Sequence, residues 1–159
     1  MILPDLYFDS VFDVPYKELW QKQIRGLIFD IDNTLTAFDE DLPPPKTIAL
    51  LNHLQKIGFK LCFVTNNTNN RLLRFNKHMN IPAVANALKP LTRGVKKAMH
   101  MMGTTTESTA IIGDQLLSDI WAGKRANILT ILIKPITDRD FWFVKIKRVI
   151  ERVMLRGYK

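Results

Sequence analysis

Leu27-Ile28-Phe29-Asp30-Ile31-Asp32-Asn33-Thr34-Leu35 is the stretch on which the reading of this chain turns. Its apolar start has the look of a buried strand, and two carboxylates follow at once. Side chains alternate sides along a strand, but where the strand opens into a loop both can turn toward one place. Buried carboxylates need a cation or a full set of hydrogen-bond donors. Magnesium, which prefers hard oxygen ligands, is the obvious cation.

Outward from this stretch, strands and helices alternate. Residues 24–29 form the first expected strand. Pro43-Pro44-Pro45 punctuates, and 46–57 has helical spacing closed by Gly58. A strand over 59–64 ends at Thr65-Asn66-Asn67, and a helix follows over 69–79. A short strand at 84–87 precedes Lys89-Pro90. A helix at 92–102 stops at Gly103, and a strand at 109–113 ends at Asp114. A helix over 116–126 and a strand over 129–133 complete the pattern. Such alternation predicts an α/β fold with a parallel sheet covered on both faces. The segment Leu6-Tyr7-Phe8 with Val11-Phe12 reads as an apolar arm.

The chain has 159 residues, enough for one unit with a sizeable core over 1–159. Hydrophobic residues make up 47%, which excludes a disordered composition. No apolar run approaches the roughly 20 residues of a membrane helix. The start lacks the pattern of a secretory signal. The single cysteine, Cys62, sits in an apolar run and reads as a core residue. A cytoplasmic location is the expectation. The net charge is +8, and residues 139–159 hold seven Lys or Arg against two acids. A basic amphipathic helix is expected over about 140–156, with Trp142, Ile146, Val149, Ile150 and Val153 on one stripe. That stripe is expected to pack on the sheet or to meet a lipid interface. The basic face could meet an anionic membrane from its inner side, which is favoured over nucleic acid as the anionic partner.

In open parallel sheets, sites form outside the carboxyl ends of the strands. Here those ends carry Asp30 and Asp32, Thr65 with Asn66, Lys89, and Asp114 near Asp119. This set suits phosphoryl transfer. A carboxylate can attack phosphorus, a second can move the proton, magnesium can orient the phosphate, and a lysine and a hydroxyl can hold its oxygens.

The ordered set resembles the haloacid dehalogenase (HAD) superfamily of phosphotransferases. Asp30-Ile31-Asp32-Asn33-Thr34-Leu35 is similar to its first motif, Thr65 to the second, Lys89 to the third, and Asp114 with Asp119 to the fourth. Leu3-Pro4-Asp5, Asp32-Asn33-Thr34, Thr65-Asn66-Asn67, Leu88-Lys89-Pro90, Gly113-Asp114-Gln115-Leu116 and the stretch over 148–152 extend the likeness to the YqeG-type phosphatases of subfamily IIIA. These in turn are similar to mitochondrial phosphatidylglycerophosphatases. Thr65 stands where relatives often carry Ser, and Ser118 where they often carry Thr; both keep a hydroxyl.

The resemblance implies a three-layer, Rossmann-like HAD fold. Asp30 would be nucleophile and Mg2+ ligand. Asp32 would be general acid and base, with its carbonyl on the metal. Thr65, Lys89 and Asn66 would hold the phosphoryl group, and Asp114 and Asp119 would complete the metal site. Many relatives insert a cap domain after the first or second motif. Here 32 residues lie between Asp32 and Thr65, and 23 between Thr65 and Lys89. Neither gap has room for a cap, so an open site is expected. A phosphorylated substrate such as a lipid headgroup at the membrane surface fits it, phosphatidylglycerophosphate by resemblance. Nucleic-acid ends, a small phosphorylated metabolite, or a basic binding module without catalysis are the competing readings.

Overall fold

A computed structural model describes residues 2–137 together with 149, 152 and 153. The helix expected over about 140–156 therefore falls almost wholly outside the described residues. The described part is a parallel sheet of six strands in the order β1-β6-β5-β2-β3-β4. The strands are β1 (Leu6–Phe8), β2 (Gly26–Phe29), β3 (Lys60–Val64), β4 (Ala83–Val84), β5 (Thr109–Gly113) and β6 (Leu129–Ile133). Five α-helices connect them: α1 (Tyr16–Gln21), α2 (Pro45–Ile57), α3 (Asn69–Asn76), α4 (Arg93–Met102) and α5 (Trp121–Arg125).

Period-2 alternation along the strands divides the core. Leu27, Phe29, Leu61, Phe63, Ala110 and Ile112 face one side, where Leu51 and Leu54 of α2 and Leu72 and Phe75 of α3 meet them. Ile28, Cys62, Val64 and Ile111 face the other, against Val95, Ala98 and Met102 of α4 and Ala122 of α5. Strands buried on both faces must be apolar throughout, which is why the sequence shows continuous runs rather than alternation. Cys62 lies in this core, and burial pushes its thiol up to about 12. Gly103 ends α4 in the left-handed region with φ 67°, the conformation that favours glycine at a helix C-terminus.

Two differences from the expected pattern stand out. The segment over 6–8 is not a loose arm but an edge strand, with Leu6, Tyr7 and Phe8 in register with Ile131, Leu132 and Ile133. The helix expected over 116–126 begins with a π-helical turn, Leu116–Ile120, before α5. There the carbonyl of Gln115 accepts from the amides of both Asp119 and Ile120.

Asp5 fastens the N-terminal strand. Its carboxylate accepts from the Thr130 amide (2.9 Å) and hydroxyl (2.9 Å) and from the Lys124 ammonium. Burial opposes its charge, yet Lys124 and Thr130 hold its pKa below the ordinary value. This contribution to stability is present above the ordinary carboxylate range and is lost as pH falls through the folded value. Asp5→Ala strands two donors of the buried Thr130. The expected loss is about 1–3 kcal/mol in urea unfolding at neutral pH; an unchanged midpoint would contradict the anchoring role.

Candidate active site

The chain leaves β2 in one direction, through α2 to β3, and later returns to its other side at β5. A crevice forms where strand order reverses in this way. β2 delivers Asp30 to that point, β3 delivers Thr65, and β5 delivers Asp114. Asp30 stays in the ladder, its amide donating to Ile112 (3.0 Å). Beyond it the chain folds back tightly. Leu35 donates to Ile31 (3.0 Å) and Asn33 to Thr36 (2.7 Å), with Asn33 at φ 61°. Asn tolerates this left-handed backbone better than most residues. The turn fixes Thr34, whose hydroxyl donates to Asp114 Oδ1 (3.2 Å).

Asp30, Asp114 and Asp119 are buried, and each offers a carboxylate oxygen within 4.8 Å of the others. Asp119 comes from the π-helical turn, where its Oδ2 accepts from the Gln115 amide (3.1 Å). Gly113 makes room for it: a Cβ there would collide with the Asp119 carboxylate. Lys89 reaches into the same cluster. Its ammonium donates to Asp30 Oδ1 (3.0 Å), to Asp119 Oδ1 and to the Val64 carbonyl (2.7 Å). Burial alone would lower the Lys89 pKa, but Asp119 and Asp30 outweigh it and hold it above the ordinary lysine value. Burial first, and the charge of Asp30 next, raise the carboxyls of Asp114 and Asp119 above the usual range, against the pull of Lys89 on Asp119.

Charge balance shows what the cluster lacks. With all three acids ionised, the single Lys89 ammonium, paired with Asp30 and Asp119, would leave two negative charges uncompensated. Buried charge of this kind is costly unless paired. A divalent cation supplies the missing charge, and an all-carboxylate oxygen set suits a hard one. The residues therefore fit a metal held by Asp30, Asp114 and Asp119.

The other expected residues take distinct places. Thr65 is buried, and its Oγ1 accepts from the Asn67 amide (3.0 Å), which leaves its proton free to donate. Asn66 clasps the backbone of Lys89, accepting from its amide (2.7 Å) and donating to its carbonyl (3.0 Å). Asn66 thus positions Lys89. The Asp32 carboxylate stands apart from the three-acid cluster. Its Oδ1 accepts from Arg71 Nη2 (3.1 Å) and Nε (3.3 Å), and its Oδ2 from Asn67 Nδ2 (3.0 Å).

Sequence reasoning missed Arg71. It is buried, and it also reaches Asp41 at 3.4 Å. A signal was available. Arg71 lies four residues before Phe75, so it shares the inward face of α3, and a cation there requires an anion opposite.

A model of the haloacid dehalogenase-like hydrolases matches residues 36–127. The chain belongs to this family. The HAD hydrolase is 31% identical to the "Probable phosphatase YqeG" of Bacillus subtilis, over 99% of this chain and 91% of that protein. It is 25% identical to "Phosphatidylglycerophosphate phosphatase 1, chloroplastic" of Chlamydomonas reinhardtii, over 95% of this chain and 60% of that one. Among solved structures, a HAD-superfamily hydrolase from Ehrlichia chaffeensis superposes with a TM-score of 0.57 at 18% identity, covering 84% of this chain and 98% of that one. That last likeness speaks for the fold. Family and relatives together make this HAD hydrolase a phosphatase, and HAD enzymes use a divalent metal. No helix among the described residues is long and apolar enough to cross a membrane.

Proposed function

We propose that this chain is a magnesium-dependent phosphomonoester hydrolase working through an aspartyl-phosphate on Asp30, and that it converts phosphatidylglycerophosphate to phosphatidylglycerol. The observation that carries the chemistry is the position of Asp30. It ends the central strand between Lys89 and the carboxylates of Asp114 and Asp119.

An Asp30 oxygen attacks phosphorus while the bond to the leaving oxygen breaks, and Asp32 gives that oxygen a proton. Asp32 then takes a proton from water as the water oxygen attacks phosphorus and the bond to Asp30 breaks. Thr65 donates to a phosphoryl oxygen. Lys89 neutralises developing charge once phosphate displaces one of the carboxylates from its ammonium. When bound by Asp30, Asp114, Asp119 and the Asp32 carbonyl, magnesium supplies charge neutralisation and orientation of the phosphate.

Two observations favour a lipid substrate. The Chlamydomonas relative carries that substrate in its name. The connections around the site are filled by α2 and β3, then by α3 and β4, which supports reading the chain as one unit with an uncapped site. An open site suits a headgroup presented at a surface. The test is phosphate release with magnesium from phosphatidylglycerophosphate in mixed micelles, against soluble sugar phosphates and 5′-phosphorylated oligonucleotides. The expected result is a preference of about tenfold or more in kcat/KM for the lipid, about 1.4 kcal/mol of transition-state discrimination. Faster turnover of a soluble compound would overturn the substrate assignment and leave the phosphatase chemistry standing.

A further inference from the structure

The catalytic lysine is flanked by exposed leucines that the fold does not use. Leu88 is 66% exposed and Leu91 is 51% exposed, on either side of Lys89-Pro90. Leu88 holds a left-handed backbone at φ 55°, which is unfavourable for a leucine. The turn is closed by the Leu91 amide donating to the Leu88 carbonyl (2.9 Å), so both side chains project from one short loop. Beside this loop, on the same face of the sheet, Leu117 is 58% exposed and Trp121 is 39% exposed. The two groups are tied together. Asn66 bridges the Lys89 carbonyl and the Ser118 hydroxyl, and Arg125 donates to the Pro90 carbonyl (3.2 Å). They therefore make one apolar rim along one side of the entrance.

Beside the Leu88–Leu91 half of the rim the charge has one sign. Residues 42–106 contain no Asp or Glu and ten Lys or Arg. Of these, Arg93, Lys96 and Lys97 are exposed on α4, next to the Leu88–Leu91 turn, and Arg125 is exposed below Trp121. The acids Asp39, Glu40 and Asp41 belong to the opposite flank, where Arg71 and Arg74 of α3 hold Asp41. α3 and α4 cover opposite faces of the sheet. Leucine and tryptophan next to Lys and Arg, without carboxylates, match the interface of an anionic bilayer: apolar tips enter the headgroup boundary while the cations stay among lipid phosphates.

We infer that the rim of Leu88, Leu91, Leu117 and Trp121, with Arg93, Lys96 and Arg125 beside it, is a docking surface for an anionic bilayer and sets the active-site mouth against the headgroup layer. This rests on the lipid-substrate reading above and adds the surface by which the site reaches its substrate.

The experiment is flotation of the full chain with vesicles of phosphatidylcholine alone or with 30 mol% phosphatidylglycerol (on the order of a natural anionic content). Wild type is expected to float with the anionic vesicles. The Leu91→Ser/Leu117→Ser double variant is expected to bind about tenfold more weakly or worse. Arg93→Glu/Lys96→Glu is expected to lose the preference for anionic lipid. All variants keep turnover of a soluble aryl phosphate, which also reports that they are folded. Failure of wild type to float, undiminished flotation of both variants, or capture by RNA in place of vesicles would overturn the docking surface. Flotation that depends on the rim, without hydrolysis of the vesicle-borne phosphate monoester, sustains the surface and overturns the lipid substrate. Hydrolysis of that monoester in detergent micelles with no flotation does the reverse.

Discussion

Asp30→Asn is expected to abolish phosphate release from any monoester, by about 10³-fold or more in kcat. The side chain keeps its size but cannot attack phosphorus. The variant should remain folded, for a reason specific to this site. Asp30 is a chief source of the negative field that raises the carboxyls of Asp114 and Asp119. Removing its charge relieves that crowding, at the cost of one of the two carboxylates facing Lys89. Thermal unfolding in chelator should therefore show a midpoint no lower than wild type. Turnover at the wild-type rate would remove Asp30 from the role of nucleophile. A collapsed midpoint would show that its charge is structural.

Lys89→Met is expected to damage both stability and activity. The wild-type ammonium is buried and spends its donors on Asp30, Asp119 and the Val64 carbonyl. Methionine leaves those carboxylates without a counter-ion, at a cost of about 3–5 kcal/mol. The sign with pH is plain. Lys89 has a raised pKa, so its contribution is full below the ordinary lysine value of 10.5 and is lost only as pH rises through the folded value. A divalent cation does part of the lysine's electrostatic work. Adding magnesium should thus raise the unfolding midpoint of the variant more than that of wild type, while phosphate release stays absent. Equal midpoints for variant and wild type in chelator would refute this account of the buried pair.

The contrast between these residues and Arg71 explains what could be read from the chain. Asp30, Thr65, Lys89 and Asp114 were visible because each follows an apolar run or closes a short connection, so position along the chain implied position in space. The parallel sheet was legible for the same reason. Arg71 has no such marker. It lies within a helix, and its partner Asp32 is 39 residues away. The β1 strand escaped because three residues are too few to display a period. The π-helical turn over 116–120 escaped because widening a helix by one residue leaves its apolar spacing almost intact. Yet that widened turn carries Asp119 into the acid cluster.

The pairing of β1 with β6 has a consequence for biosynthesis. Asp5 and Thr130 bond across 125 positions, and Ile136 donates to the Asn33 carbonyl behind the catalytic turn (3.0 Å). A nascent chain emerging N-terminus first holds Asp30 long before it holds either partner. Neither the outer edge of the sheet nor the support of the turn after Asp30 can form until translation has passed β6. Products cut short before Thr130 therefore lack the backing that supports the reactive turn, and that support is in place only after Ile136 has been made.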